Sequence, residues 1–112
     1  MSRRTNLFLE DMGAACRRVL AYRDEVDWDD PSETPMALDA LLHNLLVLGE
    51  AAKQVPADVS DQAPEIEWRK IAGLRDVLAH GYFRIDLSII RDVAYRKLDV
   101  VAAAVERLLA EL

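Results

Sequence analysis

Apolar positions recur along this chain at the three-and-four spacing of amphipathic helices, and nowhere in the alternation of a strand. Phe8, Met12, Ala15, Val19, Tyr22 and Val26 form one continuous stripe, which predicts a first helix over about residues 4–26. An acidic segment and Pro31 end it. Ser32 and Glu33 stand before Pro35, and a new apolar pattern opens at Met36, as expected of a helix start. This second helix, about residues 35–55, is apolar nearly all round from Leu38 to Leu48, broken only by Asp39, His43 and Asn44. A helix that apolar must bury more than one face, and in so short a chain a partner subunit is the expected cover for the second. Pro56 stops it.

Residues 57–67 read as a short polar connection, with Pro64 before Trp68. Trp68, Ile71, Ala72, Leu78 and Ala79 predict a third helix, closed by Gly81, which at a helix end relieves the strain of a left-handed residue. A last helix is expected from near Asp86, with Ile89, Val93, Val101, Val105, Leu108 and Leu112 among its apolar positions. The pattern predicts an all-α fold: an antiparallel four-helix bundle with a short extra helix or turn, in one domain over 1–112.

Composition narrows the functional classes. About half the residues are apolar and about a third charged, an ordinary soluble balance. No apolar run approaches the ~20 residues of a membrane span, and the start of the chain is charged and helical, not a signal-peptide apolar region. The lone Cys16 has no partner for an internal disulfide and no zinc-type spacing, so it reads as core packing. A cytoplasmic protein with no membrane partner is expected. The net charge of −6 argues against a general nucleic-acid binder. Yet Asp24, Glu25, Asp27, Asp29, Asp30 and Glu33 carry six negative charges in one segment, leaving the rest of the chain formally neutral (−6 + 6 = 0). A local basic cleft therefore remains compatible with the charge, and selective nucleic-acid binding fits better than sequence-blind binding.

The chemistry-bearing stretch is Arg75-Asp76-Val77-Leu78-Ala79-His80-Gly81-Tyr82-Phe83. It offers a permanent cation, an imidazole and a phenol near one helix end. A phosphodiester can be cleaved without metal by a general base, a general acid and a fixed positive charge. Arg suits the fixed charge because its planar fork matches phosphate oxygens, and His is the natural proton carrier. On an ideal helix, residues five apart are rotated by ~140°, so Arg75 and His80 share a face only if the helix ends and frees the imidazole. With one such His per chain, a base and an acid together call for a two-fold dimer that brings two copies of His80 and Arg75 into one cleft.

The motif resembles that of the HepT-like toxins of the HEPN superfamily: Arg, a polar residue, three more, His, any residue, Tyr. Leu48-Gly49-Glu50-Ala51-Ala52-Lys53 and Pro64-Glu65-Ile66-Glu67-Trp68-Arg69-Lys70-Ile71 also look like family segments. The resemblance implies a HEPN-like helical fold and a homodimer with its site at the interface. It implies a metal-independent RNA endonuclease working through the 2′-OH, leaving a 2′,3′-cyclic phosphate and a 5′-OH. No cofactor and no DNA substrate are expected. Arg75 and His80 would be catalytic and Asp76 supporting, either orienting a neighbour or weakening RNA affinity by its charge. Such proteins act as the toxin of a type VII-like toxin–antitoxin pair. Their partner, a nucleotidyltransferase antitoxin, silences them by attaching AMP to the Tyr two positions after the His, here Tyr82.

Blander readings stand beside these. Arg75 serves as a surface salt-bridge partner, His80 as a helix cap, and Tyr82 with Phe83 as a hydrophobic anchor. The acidic stretch is a solvated loop, His43 and Asn44 are satisfied polar groups in a helix interface, and Glu50 and Lys53 are helix surface. Two other functional classes stay open: a non-catalytic helical binding partner of a nucleotidyltransferase, and a structural interaction domain.

Overall fold

Helix α1, Arg3–Tyr22, starts where Ser2 can cap it: the Thr5 backbone N–H donates to Ser2 Oγ at 3.0 Å. The computed structural model describes residues 1–111 of the chain, so the expected apolar position Leu112 lies outside the described residues. Among the described residues every regular element is helical: α2 (Pro35–Lys53), a single-turn α3 (Ala57–Ser60), α4 (Trp68–Gly81), α5 (Leu87–Asp92) and α6 (Leu98–Ala110).

The first helix ends four residues before the expected 26. Val26 is still buried, but in extended conformation beyond a 3₁₀ turn at Arg23–Glu25. Asp24 and Glu25 would oppose the negative end of a longer helix dipole. The Arg23 carbonyl instead accepts from Trp28 Nε1 and Tyr95 Oη, both at 2.9 Å. The acidic stretch keeps its carboxylates exposed, as a solvated loop would. Its backbone, however, is ordered into two 3₁₀ turns and pinned by Asp27, whose carboxylate accepts from the N–H of Asp29 and Asp30.

Helix α2 begins with Pro35 at its first turn, where the missing N–H has no partner to lose. It packs between α1 and α4, and α1 packs in turn on α6. Paired positions show antiparallel neighbours, as expected: Glu50 meets Arg75 and Asp39 meets Tyr82 across α2 and the α4 end. Much of the second apolar face of α2 is thus covered by α4 of the same chain, while Leu46 and Val47 stay only partly buried. His43 is not packed between helices of this chain but exposed, while its neighbour Asn44 is buried and donates to the Ala40 carbonyl at 2.8 Å. At Gly49 a Cβ would lie 2.8 Å from the Arg75 backbone nitrogen and 2.9 Å from the Ile71 carbonyl oxygen. Only a residue without a side chain lets α2 and α4 approach so closely.

The connection at 57–67 is more than polar linker. Val59, Ala63 and Ile66 are buried, and Trp68 Nε1 donates back to the Ala63 carbonyl at 2.9 Å. Gly81 takes φ −135°, not the left-handed conformation expected, because the chain tightens into a 3₁₀ turn at Tyr82–Arg84 instead of reversing. The last helical run starts at the Asp86 cap, whose carboxylate accepts from Ser88 N–H. It widens into a π segment at Val93–Lys97. Ile90, Ala94 and Leu98, spaced four and four, are all buried. In a pure α-helix each such step drifts by ~40° from the core face, and the wider π turn reduces that drift. Ile89, an expected core position, is 58% exposed. Cys16 is fully buried, and burial pushes its thiol up to about 12.

Two measurements test this packing. Gly49→Ala is expected to lower stability by ~1–3 kcal/mol in urea unfolding, the usual cost of overpacking. Gly73→Ala, where a Cβ meets nothing within 4 Å, should be neutral or mildly stabilising. Separately, hydrogen bonds from Lys70 and Lys97 hold the Glu67 carboxyl at about 2, below an ordinary 4.5. A carboxyl depressed on folding stabilises above its unfolded pKa and loses that contribution as pH falls through the folded one. Glu67→Gln should therefore lower the urea midpoint at pH 7, and its deficit should shrink below pH 4.5 and vanish near pH 2. A deficit independent of pH would show that the ion pairs are not its source.

Candidate functional site

Helix α4 carries Arg75, Asp76 and His80, and Tyr82 stands in the turn that follows. The close approach at Gly49 sets the next residue of α2 against Arg75: its Nε donates to Glu50 Oε2 at 2.7 Å. Arg75 Nη1 also donates to Asp76 Oδ1 at 3.3 Å, and Lys53 Nζ lies 3.5 Å from the same oxygen. Two cations and two carboxylates thus form one network with no net charge. The hydrogen bond that Arg75 donates to Glu50 chiefly raises the Arg75 pKa further, and the charge of Lys53 chiefly holds Asp76 below the usual carboxylate range. A guanidinium has five N–H donors, so with two engaged here three remain for a phosphate.

The bland reading of Arg75 as a salt-bridge partner is therefore correct as geometry, and compatible with a chemical role. Glu50 and Lys53 do lie on the helix surface, but they are the residues that hold the expected site. Their signal was already present in the segment containing Gly49: Glu50 and Lys53 are three apart, on one face, beside a residue without a side chain.

His80 is placed differently. The helix continues through it to Gly81, so the imidazole is not freed to turn back toward Arg75. It is exposed and makes no hydrogen bond among the described residues, which leaves both ring nitrogens open to solvent. Asp76 and Val77 precede it by four and three positions and share its side of the helix, whereas Arg75 points away toward α2.

Tyr82 reaches back across 43 residues. Its hydroxyl donates to Asp39 Oδ1 at 2.9 Å, an α2 residue not singled out from the sequence. Burial first, then this bond and the charge of Asp39, push the phenol above its ordinary value. The Tyr82 and Phe83 rings meet edge to face at 5.8 Å, but they do not anchor the turn in the core, since Tyr82 is 40% exposed and Phe83 fully so.

Two open grooves flank α4. A groove of about 490 Å³ between α1, α2 and α4 has Arg75 in its wall. Another of about 600 Å³, on the side toward α5 and α6, is lined by apolar residues such as Leu74 and Val77 together with charged ones, Glu67, Lys70 and Arg96 among them. Among the described residues no group of three His, Cys, Asp or Glu side chains could hold a metal ion, and no helix is long and apolar enough to cross a membrane.

Residues 12–108 match the family described as ribonuclease HepT-like. The probable ribonuclease HepT of Thermococcus cleftensis is 32% identical over 80% of this chain and 82% of its own. A "Putative RNase" of Methanocaldococcus jannaschii is 28% identical over 94% of this chain and 87% of its own. Another, from Caldanaerobacter subterraneus, is 26% identical over 91% of each. No solved structure matches the chain.

The tie between Asp39 and Tyr82 has a spectroscopic consequence. Asp39→Asn removes the carboxylate charge facing the phenol and should bring the Tyr82 titration to lower pH, leaving the part due to burial in place. Absorbance titration against a Tyr82→Phe reference isolates this phenol. An unchanged titration would mean that the two side chains do not meet in solution.

Proposed function

The chain belongs to the HepT-like ribonuclease family, and we propose that it is a metal-independent RNA endonuclease with Arg75 and His80 as catalytic residues. The observation that carries this reading is the division of labour on α4. Arg75 is held rigidly by Glu50 and Asp76 with N–H groups to spare, while one turn further on His80 stands unpartnered in solvent. His80 takes the proton of a ribose 2′-OH, whose oxygen attacks the adjacent phosphorus. The bond from phosphorus to the 5′-oxygen breaks, and an imidazolium protonates that leaving group. The products are a 2′,3′-cyclic phosphate and a 5′-OH. Arg75 stabilises the charge that builds on the pentacovalent phosphate. Asp76 orients Arg75, and Lys53 with Arg75 offsets the charge that would otherwise repel RNA.

A base and an acid require two imidazoles, and the active unit in this reading is a two-fold homodimer. The groove between α4 and the α5–α6 run supports it. Its walls carry Val77, Ile89 and Val100, which are 53%, 58% and 44% exposed. Val77 lies three residues before His80, so a second copy seated on this surface would bring two His80 side chains toward one cleft, which Arg75 reaches in this reading from the α2 flank of the helix through its unengaged N–H groups.

The role is that of a toxin paired with a nucleotidyltransferase antitoxin. The antitoxin would transfer AMP from ATP to the exposed Tyr82 hydroxyl, with pyrophosphate leaving and Asp39 placed to accept the phenolic proton. A nucleotide two positions from His80 would block RNA entry by bulk and repel its backbone by charge.

Cleavage of total cellular RNA in EDTA by purified dimeric protein, unmodified at Tyr82, tests the reading. The wild type should leave cyclic-phosphate ends. His80→Ala should lose ~10²-fold or more of the rate, and Arg75→Ala ~10²–10³-fold. Arg75→Lys should restore only part, because an ammonium lacks the planar fork. No cleavage by the folded wild type would favour a non-catalytic partner of a nucleotidyltransferase instead.

A further inference from the structure

The groove between α1, α2 and α4 is not used by the chemistry above, although Arg75 forms part of its wall. Its floor is apolar, built from Phe8 of α1 with Leu46 and Val47 of α2, all only partly buried. Arg4 and Gln54 stand at its edges with Asp11, so donors and acceptors surround an apolar slot. At about 490 Å³ it falls within the ~300–1,000 Å³ usual for small-ligand sites. The Phe8 ring is covered on one face by the Arg4 guanidinium, whose central carbon sits 5.6 Å from the ring centroid.

We propose that this groove is a base-binding subsite, in which Phe8 stacks the nucleobase of the nucleotide adjoining the phosphate held by Arg75. Single-stranded RNA is read chiefly by bases splayed from the strand and stacked on aromatic rings, with polar groups meeting their edges. The magnitudes allow the exchange. An exposed cation–π contact contributes ~0.5–1 kcal/mol, whereas a base stacked on an aromatic ring contributes ~1–3 kcal/mol. A base therefore displaces Arg4 from the Phe8 ring. Arg4 is exposed and free to swing to the RNA backbone, where its charge meets a second phosphate. Asp11 and the Gln54 amide then face the base edge. With Asp11 and Glu50 in the same lining as Arg4 and Arg75, the groove has no net charge, so the stack and the N–H groups that Arg75 keeps free carry the binding and not a basic surface.

The subsite rests on the ribonuclease reading for its ligand, and binding and cleavage are measured separately so that either can fail alone. The probe is a fluorescent 2′-O-methyl pentaribonucleotide, whose blocked 2′-oxygen cannot attack. Its affinity is followed by anisotropy at fixed salt with wild type, Phe8→Leu and Phe8→Trp. Leu keeps apolar bulk and loses the π face; Trp keeps the face. Melting curves check that each variant is folded. Phe8→Leu should weaken binding about fivefold or more, and Phe8→Trp should stay within about twofold of wild type. On cleavable RNA, Phe8→Leu should raise KM with little change in kcat. Equal affinity of wild type and Phe8→Leu, or no binding by wild type, overturns the subsite. So does conversion of a dimer to a monomer by Phe8→Leu, which would assign the groove to a second copy of the chain. Probe binding that depends on Phe8, without cleavage of RNA by wild type, sinks the ribonuclease and leaves the subsite standing. Cleavage with affinity indifferent to Phe8 does the reverse.

Discussion

The contact on which the site depends is the backbone approach of α2 to α4 at Gly49. With no side chain between them, the two helices lie close enough that Glu50 reaches Arg75 and Lys53 reaches Asp76. The antiparallel course then carries Asp39, near the other end of α2, to the Tyr82 hydroxyl. Three polar links on one helix pair thus follow from one small residue. Two of them, at Arg75 and Tyr82, face α2 directly, while Asp76 bridges from Lys53 and Arg75 toward the outer side on which His80 and Val77 are left.

The network contributes orientation more than stability. Arg75, Glu50 and Asp76 are all partly exposed, and ion pairs in such positions are worth ~0–1 kcal/mol each. What they do is restrict a long side chain to one direction and leave a defined set of its N–H groups unengaged. The balance of two cations against two carboxylates also explains how an acidic protein of the HepT-like family tolerates Asp beside its Arg. The core that supports this arrangement lies elsewhere, in Leu9, Met12, Leu41, Leu45, Leu48, Leu98 and Leu108, each fully buried.

Much of the bundle was legible from residue spacing. The first helix start, the Pro35 entry of α2, the Trp68 start of α4 and the Asp86 start of the last run all follow from local caps, prolines and apolar periodicity. The candidate residues Arg75, Asp76, His80 and Tyr82 were also legible, because their chemistry sits in one short stretch. Their partners were not. Glu50, Lys53 and Asp39 look like ordinary surface charges until α2 is laid against α4. Likewise the apolar excess of α2 suggested a second subunit, while most of its cover is α4 of the same chain.

Helix content, helix order and the identity of the chemistry-bearing stretch were determined by the sequence alone, since each depends on residues a few positions apart. Tertiary packing decided the rest. It ended α1 at Tyr22, where the side chains of Trp28 and Tyr95 satisfy the Arg23 carbonyl. It opened the π segment that keeps Ile90, Ala94 and Leu98 on the core. It also turned Arg75 toward α2 and left His80 in solvent, on a side of α4 that leaves it uncovered among the described residues. Those outcomes depend on which distant residues come within a few ångströms, and no local pattern of apolar and polar positions encodes that distance.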